Sequence, residues 1–307
     1  MRRLARIALA LAVLAAAGSA ARAATLTGTL TPAYGAPLVV QTTQTTLDAP
    51  PGATVNMADG DELDAGYATI ADGVLHLFLT GNMARWIQLE GGIPHALPID
   101  LFLDTRPGGQ NQLLANNPVV VLYDADLTRL TGLRFDPGFE ADWWFCVGAN
   151  LLPEMSLAGD EAELPTGGGG AGATLGTGTF GGPGTLAGGS NPCGVEVTVD
   201  DRNAAGVSHG CGASSGAGVT TGIEWSIPLA AIGNPAGCIR ICAFVSSLDH
   251  SQLFNQVLGP LPPGTCDLGA AAGVDFGAIA GEQFFTVCPE VVPARHTTWG
   301  ALKGAYR

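Results

Sequence analysis

The chain has 307 residues, and its 45 glycines, 20 prolines and only 13% charged residues disfavour long helices. A formal net charge of −14 repels phosphate backbones, so the composition excludes nucleic acid as a natural partner. The acidic excess is typical of an exported protein, and it leaves many carboxylates for hard cations such as calcium.

The N-terminal 23 residues predict a secretory signal peptide. The pattern is a basic start, an apolar run and a small-x-small cleavage motif: Arg2, Arg3 and Arg6, then Ile7 to Ala17, then Ala21-Arg22-Ala23. The apolar run is shorter than the roughly 20 residues that a membrane-spanning helix needs. Cleavage removes four of the 13 basic residues and none of the 27 acidic ones, which leaves nine against 27 and a charge of −18. We therefore expect a secreted protein, extracellular, surface-held or periplasmic, without membrane insertion after cleavage.

Residues 24–289 predict one antiparallel β-sandwich domain. Short apolar segments bounded by Gly, Pro, Asn and Asp recur from Tyr67 to Val287, and no helical periodicity is interleaved with them. Within this range, residues 166–190 form a glycine-rich excursion, either a flexible flap over a binding face or a long hairpin with weak strand pairing. Residues 290–307 form a C-terminal tail that is basic where the rest is acidic, which indicates a docking segment or a frayed terminus.

The region after the signal peptide contains seven cysteines: Cys146, Cys193, Cys211, Cys238, Cys242, Cys266 and Cys288. Disulfides are the default in an oxidising compartment, and the odd count leaves at least one free thiol. Cys193 with Cys211, and Cys266 with Cys288, each bracket a predicted strand, so we expect these pairs, although the sequence leaves the connectivity open. Neither the cysteines nor the histidines, His250 included, have the paired spacing that is typical of a zinc site.

The segment FDPGFEADWWF, from Phe135 to Phe145, places acidic residues beside tryptophans, as sugar-binding grooves often do. Side chains alternate between the two faces of a strand, which would put Trp143 and Phe145 in the core. Trp144 would then share the more polar face with Asp142. We therefore predict a ligand-binding group on this face, consisting of Trp144, Asp142 and Glu140. The alternative is that loops or the glycine-rich excursion cover Trp144.

A second candidate group offers oxygen ligands for a structural calcium ion. It consists of Asp59, Asp61, Asp64 and Asp104, which lie in turns or at strand ends. For Asp104 the alternatives are a turn with backbone hydrogen bonds and an ion pair with Arg106.

Residues suited to catalysis are not arranged for it in this sequence. Glu140 and Asp142 lie too close on one strand for an inverting glycosidase, and catalytic pairs usually come from separate strands. VSHG, from Val207 to Gly210, places Ser208 and His209 side by side rather than opposed, which does not support nucleophilic catalysis. His76 lies within an apolar strand, which is typical of a hydrogen-bonded core or edge residue. We expect no catalytic residues.

Two stretches resemble a known family. MADGDELDAGYATIADGVLHLFLTGNM, from Met57 to Met83, is similar to the opening of family-9-type carbohydrate-binding modules and the related DOMON-like domains. The segments LFLDTRPGGQNQL and LTGLRFDPGFEADWWF resemble a group of secreted bacterial proteins with this module, as do SGAGVTTGIEWSIPLAAIGNP and NQVLGPLPPGTCDLG. The resemblance implies an extracellular jelly-roll-like sandwich, but Trp143 and Trp144 do not match the exposed tryptophans of the carbohydrate-binding members.

These observations predict a secreted, non-catalytic module that binds glycan or other cell-surface or matrix material. Two alternatives stay open: a secreted glycan-active hydrolase, and a structural surface or adhesion component without a small ligand. Fold resemblance alone does not decide between them.

Overall fold

The computed structural model describes residues 26–46, 61–83, 87–88, 94–122, 125–150, 156–203, 210–213, 216 and 218–289. The predicted signal peptide and the C-terminal tail lie outside these residues. In chain order the strands are β1 Val39–Val40, β2 Glu62–Ala71, β3 Val74–Asn82, β4 Ile87–Gln88, β5 Pro94–Asp104, β6 Val121–Leu122, β7 Ala125–Asp126, β8 Trp143–Asn150, β9 Ser156–Glu163, β10 Gly172–Thr179, β11 Ala187–Gly188, β12 Glu196–Val199, β13 Gly222–Pro228, β14 Ile239–Ser246, β15 Gln252–Val257, β16 Gly269–Ala270 and β17 Phe285–Val287.

The helical content of the described residues consists of short 3-10 turns. They are Pro32–Tyr34, Leu127–Leu130, Leu229–Ile232, Ala271–Gly273 and Phe276–Ala278. The described part of the chain contains no helix with the length and hydropathy of a membrane span.

Two antiparallel sheets pack face to face, which confirms the predicted all-β sandwich. The small sheet has the strand order β1-β2-β3-β13-β12. The large sheet has the order β11-β10-β9-β8-β5-β14-β15-β16, with β17 also paired to β14 and β4 to β5. The glycine-rich excursion supplies β10 and β11, which pair as an edge hairpin. Gly176 is required there, because it has a φ of +133° and a Cβ atom would approach the Ala187 carbonyl oxygen to 2.5 Å.

Both faces of the large sheet are covered by hydrophobic side chains. Leu101, Phe145 and Val147 point into the inner core between the sheets, where they meet small-sheet residues such as Trp225. The opposite face, which carries Phe102, Trp144 and Phe244, is covered by a second hydrophobic cluster. The chain segments that cover it contribute Leu113, Val120, Leu127, Leu130, Leu133, Phe135, Phe139, Val274 and Phe276. Burial on both sides explains why the central strands are apolar at consecutive positions.

The disulfides differ from the predicted pairs. Cys238 is bonded to Cys288 because Ile239 and Val287, which adjoin these cysteines, are partners in the β14–β17 register. The predicted pairing of Cys266 with Cys288 is therefore wrong.

The second disulfide joins Cys211 to Cys266, so the predicted pairing of Cys193 with Cys211 is also wrong. The side-chain amide of Asn255 brings the two cysteine-bearing segments together, because it donates hydrogen bonds to the backbone carbonyl oxygens of both Gln44 and Thr265. The backbone amide of Gln44 in turn donates to the carbonyl oxygen of Gly212, the residue after Cys211. The free thiols are Cys193, which is exposed, and the buried Cys146 and Cys242.

Candidate functional site

A cleft of about 690 Å³ lies along β2 of the small sheet, where the N-terminal segment Leu26–Leu38 approaches β17. Ala68 and Ile70 of β2 supply apolar surface, and Val287 of β17 closes one side. The polar groups that face the cleft include Glu224, His76 and Tyr34. A volume of this size falls within the range of small-molecule pockets, about 300–1000 Å³, and the mixture of apolar surface with a few polar groups is typical of them.

Glu224 fixes the N-terminal segment over the sheet and so forms one wall of the cleft. Its Oε2 atom accepts hydrogen bonds from the backbone amides of Thr27 at 2.8 Å and Gly28 at 2.9 Å. Its Oε1 atom accepts one from the Tyr34 hydroxyl at 3.1 Å. The Tyr34 ring packs against Phe78, with ring centroids 5.6 Å apart. Burial, with Glu224 adding to it, raises the pKa of Tyr34, which keeps the phenol protonated as a donor.

The half-buried His76 is the second ionisable group of the cleft. Burial lowers its pKa below the ordinary value, and this effect outweighs the nearby carboxylates of Glu224 and Asp72, which act in the opposite direction. The imidazole is therefore neutral near pH 7, with one nitrogen able to donate a hydrogen bond and the other able to accept one. Together, His76 and Glu224 offer donors and acceptors to a polar ligand group in the cleft.

Burial excludes the predicted role of Trp144 in ligand binding. The strand alternation is correct, since Phe145 lies in the inner core and Trp144 on the opposite face. That opposite face is not open, however, because the second hydrophobic cluster covers it and leaves Trp144 with 0% exposure. The indole Nε1 instead donates to Asp100 Oδ1 at 2.7 Å. Trp143 is partly buried against the inner core, with the Arg106 guanidinium 5.6 Å from its ring centroid.

Asp142 is also wrong as a ligand contact, because it is buried and already hydrogen-bonded. Its Oδ2 atom accepts from the Thr105 amide at 2.7 Å, the Arg106 amide at 2.9 Å and the Thr105 hydroxyl at 3.1 Å. It therefore caps the turn that follows β5. Glu140 is exposed, so the structure does not assemble Trp144, Asp142 and Glu140 into one surface.

The predicted calcium ligands are not brought together either. Asp104 forms an ion pair with Arg240, with 2.8 Å between Oδ2 and the guanidinium, rather than with Arg106. Asp61 and Asp64 are buried at the start of β2, and among the described residues they do not form a metal-ligand group with Asp104. Asp59 lies outside the described residues.

One cluster that the sequence did not indicate lies beneath the cover of the large sheet, formed by Asp100, Cys146 and His250. The cleft was missed as well, because its walls come from segments far apart in sequence. The available signals were Glu224, an acidic residue within GIEWSIP, and His76, which lies within an apolar strand. Comparison with protein-family models, with curated proteins and with solved structures found no match for this chain.

Proposed function

We propose that this protein is a non-catalytic binding protein that acts outside the cytoplasm, and that the cleft beside Glu224 receives its ligand. The cleft itself supports the proposal most directly, because it joins about 690 Å³ of largely apolar space to a few fixed polar groups. The two disulfides fit an oxidising compartment, in line with the predicted signal peptide. The proposed ligand class is a short glycan, whose C–H faces suit Ile70 and Tyr34 and whose hydroxyls suit Glu224 and His76.

A hydrolytic role for the same cleft has less support. Glycosidases of the common mechanism use two carboxylates that flank the scissile bond. Glu224 is the single carboxylate among the described residues that line the cleft, and its oxygens already accept three hydrogen bonds. Binding without turnover is the function that this arrangement favours.

A cleft-filling substitution tests the proposal. Thr69 lines the cleft on β2, and Thr69→Trp would occupy its volume. Thr177→Trp is the matched control, since Thr177 is exposed on β10 of the other sheet and tryptophan is well tolerated in strands. The purified proteins are titrated with a panel of soluble oligosaccharides by calorimetry and run in affinity gels containing polysaccharide.

We expect the wild type and Thr177→Trp to bind the same glycan, and Thr69→Trp to lose at least about tenfold in affinity, which corresponds to about 1.4 kcal/mol. Equal binding by all three proteins would show that the ligand binds somewhere other than the cleft. Release of reducing sugar during the titration would show that the protein hydrolyses the glycan and would contradict the proposed non-catalytic role.

A further inference from the structure

Three polar side chains form a row across the covered face of the large sheet. Asp100 on β5 lies directly opposite Cys146 on β8, which in turn lies opposite Asp160 on β9. His250, from the turn between β14 and β15, projects over the Asp100 end of this row. The side chains of Asp100, Asp160 and His250 have 0% exposure, and Cys146 has 4%.

Asp100, Cys146 and His250 offer three ligand atoms that lie within 4.8 Å of one another. His250 Nε2 is 3.9 Å from Cys146 Sγ, and His250 Nδ1 is 3.4 Å from Asp100 Oδ1. In a tetrahedral zinc site the bonds are about 2.0–2.3 Å, which places neighbouring ligand atoms about 3.3–3.8 Å apart. An ion takes only one of the two ring nitrogens, so these two distances do not both belong to one ligand set. The set with one nitrogen has separations of at most 4.8 Å, which must contract by at most about 1–1.5 Å to reach the tetrahedral spacing.

Several buried polar atoms of this cluster lack hydrogen bonds. His250 Nδ1 has no hydrogen-bond partner, and neither oxygen of Asp160 accepts a hydrogen bond of ordinary geometry. His250, Ser246 and Trp144 favour the charged form of Asp100. The Thr174 hydroxyl is the one group that favours the charged form of Asp160. No arginine or lysine of the described residues takes part. A buried, ionised carboxylate with so few hydrogen bonds destabilises the folded state unless a cation neutralises its charge.

The turn that carries His250 is held in a fixed conformation. His250 has a φ of +60°, which is uncommon for a residue other than glycine, and its amide donates to the Ser247 carbonyl oxygen at 2.7 Å. Asp249 accepts hydrogen bonds from the hydroxyls of Ser247 and Ser251, each at 2.8 Å. A non-glycine residue in this backbone region is often found where the side chain is positioned for a role.

We propose that Asp100, Cys146 and His250 bind a zinc ion, with Asp160, which lies opposite Cys146 on β9, as the candidate for the fourth position. Thiolate, imidazole and carboxylate together are a ligand set that suits Zn²⁺. On binding, the Cys146 thiol loses its proton to solvent while the zinc–sulfur bond forms, and no electron is transferred. The Trp144 indole and the Ser246 hydroxyl, which donate to Oδ1 and Oδ2 of Asp100 at 2.7 and 2.6 Å, would orient that carboxylate.

The ion would be structural rather than catalytic. The contacts run from Asp100 to His250 and from His250 to Cys146, which is the order of residues in a nucleophilic triad. A substrate does not reach them, however, because all three side chains are buried. A zinc ion here would tie the β14–β15 turn to the centre of the sheet and would enter during folding.

Refolding with metal tests this proposal. The protein is unfolded in urea with its disulfides intact and refolded with Zn²⁺ or Co²⁺, and unbound metal is removed by gel filtration. We expect about one zinc ion per chain by elemental analysis, and a thiolate-to-cobalt charge-transfer band in the cobalt form. Cys146→Ser should lose both signals. Cys242→Ser, which alters a buried thiol on the same face but outside the cluster, should retain both.

If Cys146→Ser fails to fold, the zinc content and the cobalt spectrum of the wild-type protein still decide the question. A cobalt spectrum without the thiolate band would overturn the proposal, as would wild-type protein that retains no zinc after refolding. Zinc retained equally by Cys146→Ser and the wild type would likewise reject it and leave a buried polar network without a metal. Because the cleft and this cluster share no lining residue, loss of zinc and loss of ligand binding are measured separately.

Discussion

The Trp144 indole donates a 2.7 Å hydrogen bond to Asp100, and both side chains are completely buried. Trp144→Phe would remove this donor, and we expect it to lower the free energy of unfolding by about 1–3 kcal/mol more than a matched Trp→Phe change elsewhere. Trp225 provides the match, because it is equally buried and its Nε1 atom has no hydrogen-bond partner. Urea unfolding of Trp144→Phe and Trp225→Phe measures the difference. Equal losses would mean that the hydrogen bond contributes nothing net.

Asp142 is predicted to contribute to stability and Glu140 to contribute little. Asp142→Ala leaves the amides of Thr105 and Arg106 without their acceptor, so we expect a loss of roughly 1–3 kcal/mol in the free energy of unfolding. Glu140→Ala, at an exposed position two residues earlier, should change stability by less than about 0.5 kcal/mol. Thermal and urea unfolding of the two variants separate these outcomes. An Asp142→Ala protein that is as stable as the wild type but binds ligand differently would support the ligand-binding role that the sequence predicted for Asp142.

The three free thiols should differ sharply in reactivity. Cys193 is exposed, whereas Cys146 and Cys242 are buried, and burial raises the pKa of both buried thiols. The thiolate is the reactive form, so a thiol reagent should modify one cysteine in the native protein and three after unfolding without reductant. Peptide mapping should find Cys211 linked to Cys266 and Cys238 linked to Cys288. Recovery of a Cys193–Cys211 link would contradict the structure.

Stability should fall as the pH rises through neutrality, in part because of Asp64. Burial raises the pKa of Asp64 from 3.8 to about 7. Between these values the folded chain keeps a proton that the unfolded chain has released, so this stabilisation is complete below the unfolded pKa and lost as the pH passes the folded pKa. The expected loss between about pH 5 and about pH 8 is about 2.5 kcal/mol.

Asp64→Asn should reduce this pH dependence, and Glu140→Gln, at an exposed position, is the control. Urea midpoints of the three proteins at the two pH values provide the measurement. An identical pH dependence in Asp64→Asn would assign the effect to other carboxylates.

The sequence predicted the sheet architecture better than the surroundings of its side chains. Short apolar segments indicated a sandwich, and strand alternation correctly assigned Phe145 and Trp144 to opposite faces. Whether the second face is open depends on segments such as Leu127–Leu130, which reach it only after the chain has folded. Alternation fixes the direction of a side chain but not what lies above it.

Long-range contacts explain the remaining differences. His250 meets Cys146 across 104 residues of sequence, so no local spacing could indicate the pair. The disulfides follow from the β14–β17 register and from the hydrogen bonds of Asn255, neither of which a count of intervening residues contains. Glu224 and His76 were visible as polar residues in apolar strands, but the N-terminal wall of the cleft was not.

The Cys238–Cys288 bridge has a mechanical consequence. β17 pairs with β14 at three positions, and an edge segment this short would be peeled away easily by tension on the chain that follows it. The bridge lies at the end of that pairing, so a pull beyond Cys288 passes through a covalent bond to the start of β14. The load is then shared with β5, which pairs with β14 along six positions, and β17 itself is bypassed. A tether attached after Cys288 would therefore be anchored in the middle of the large sheet.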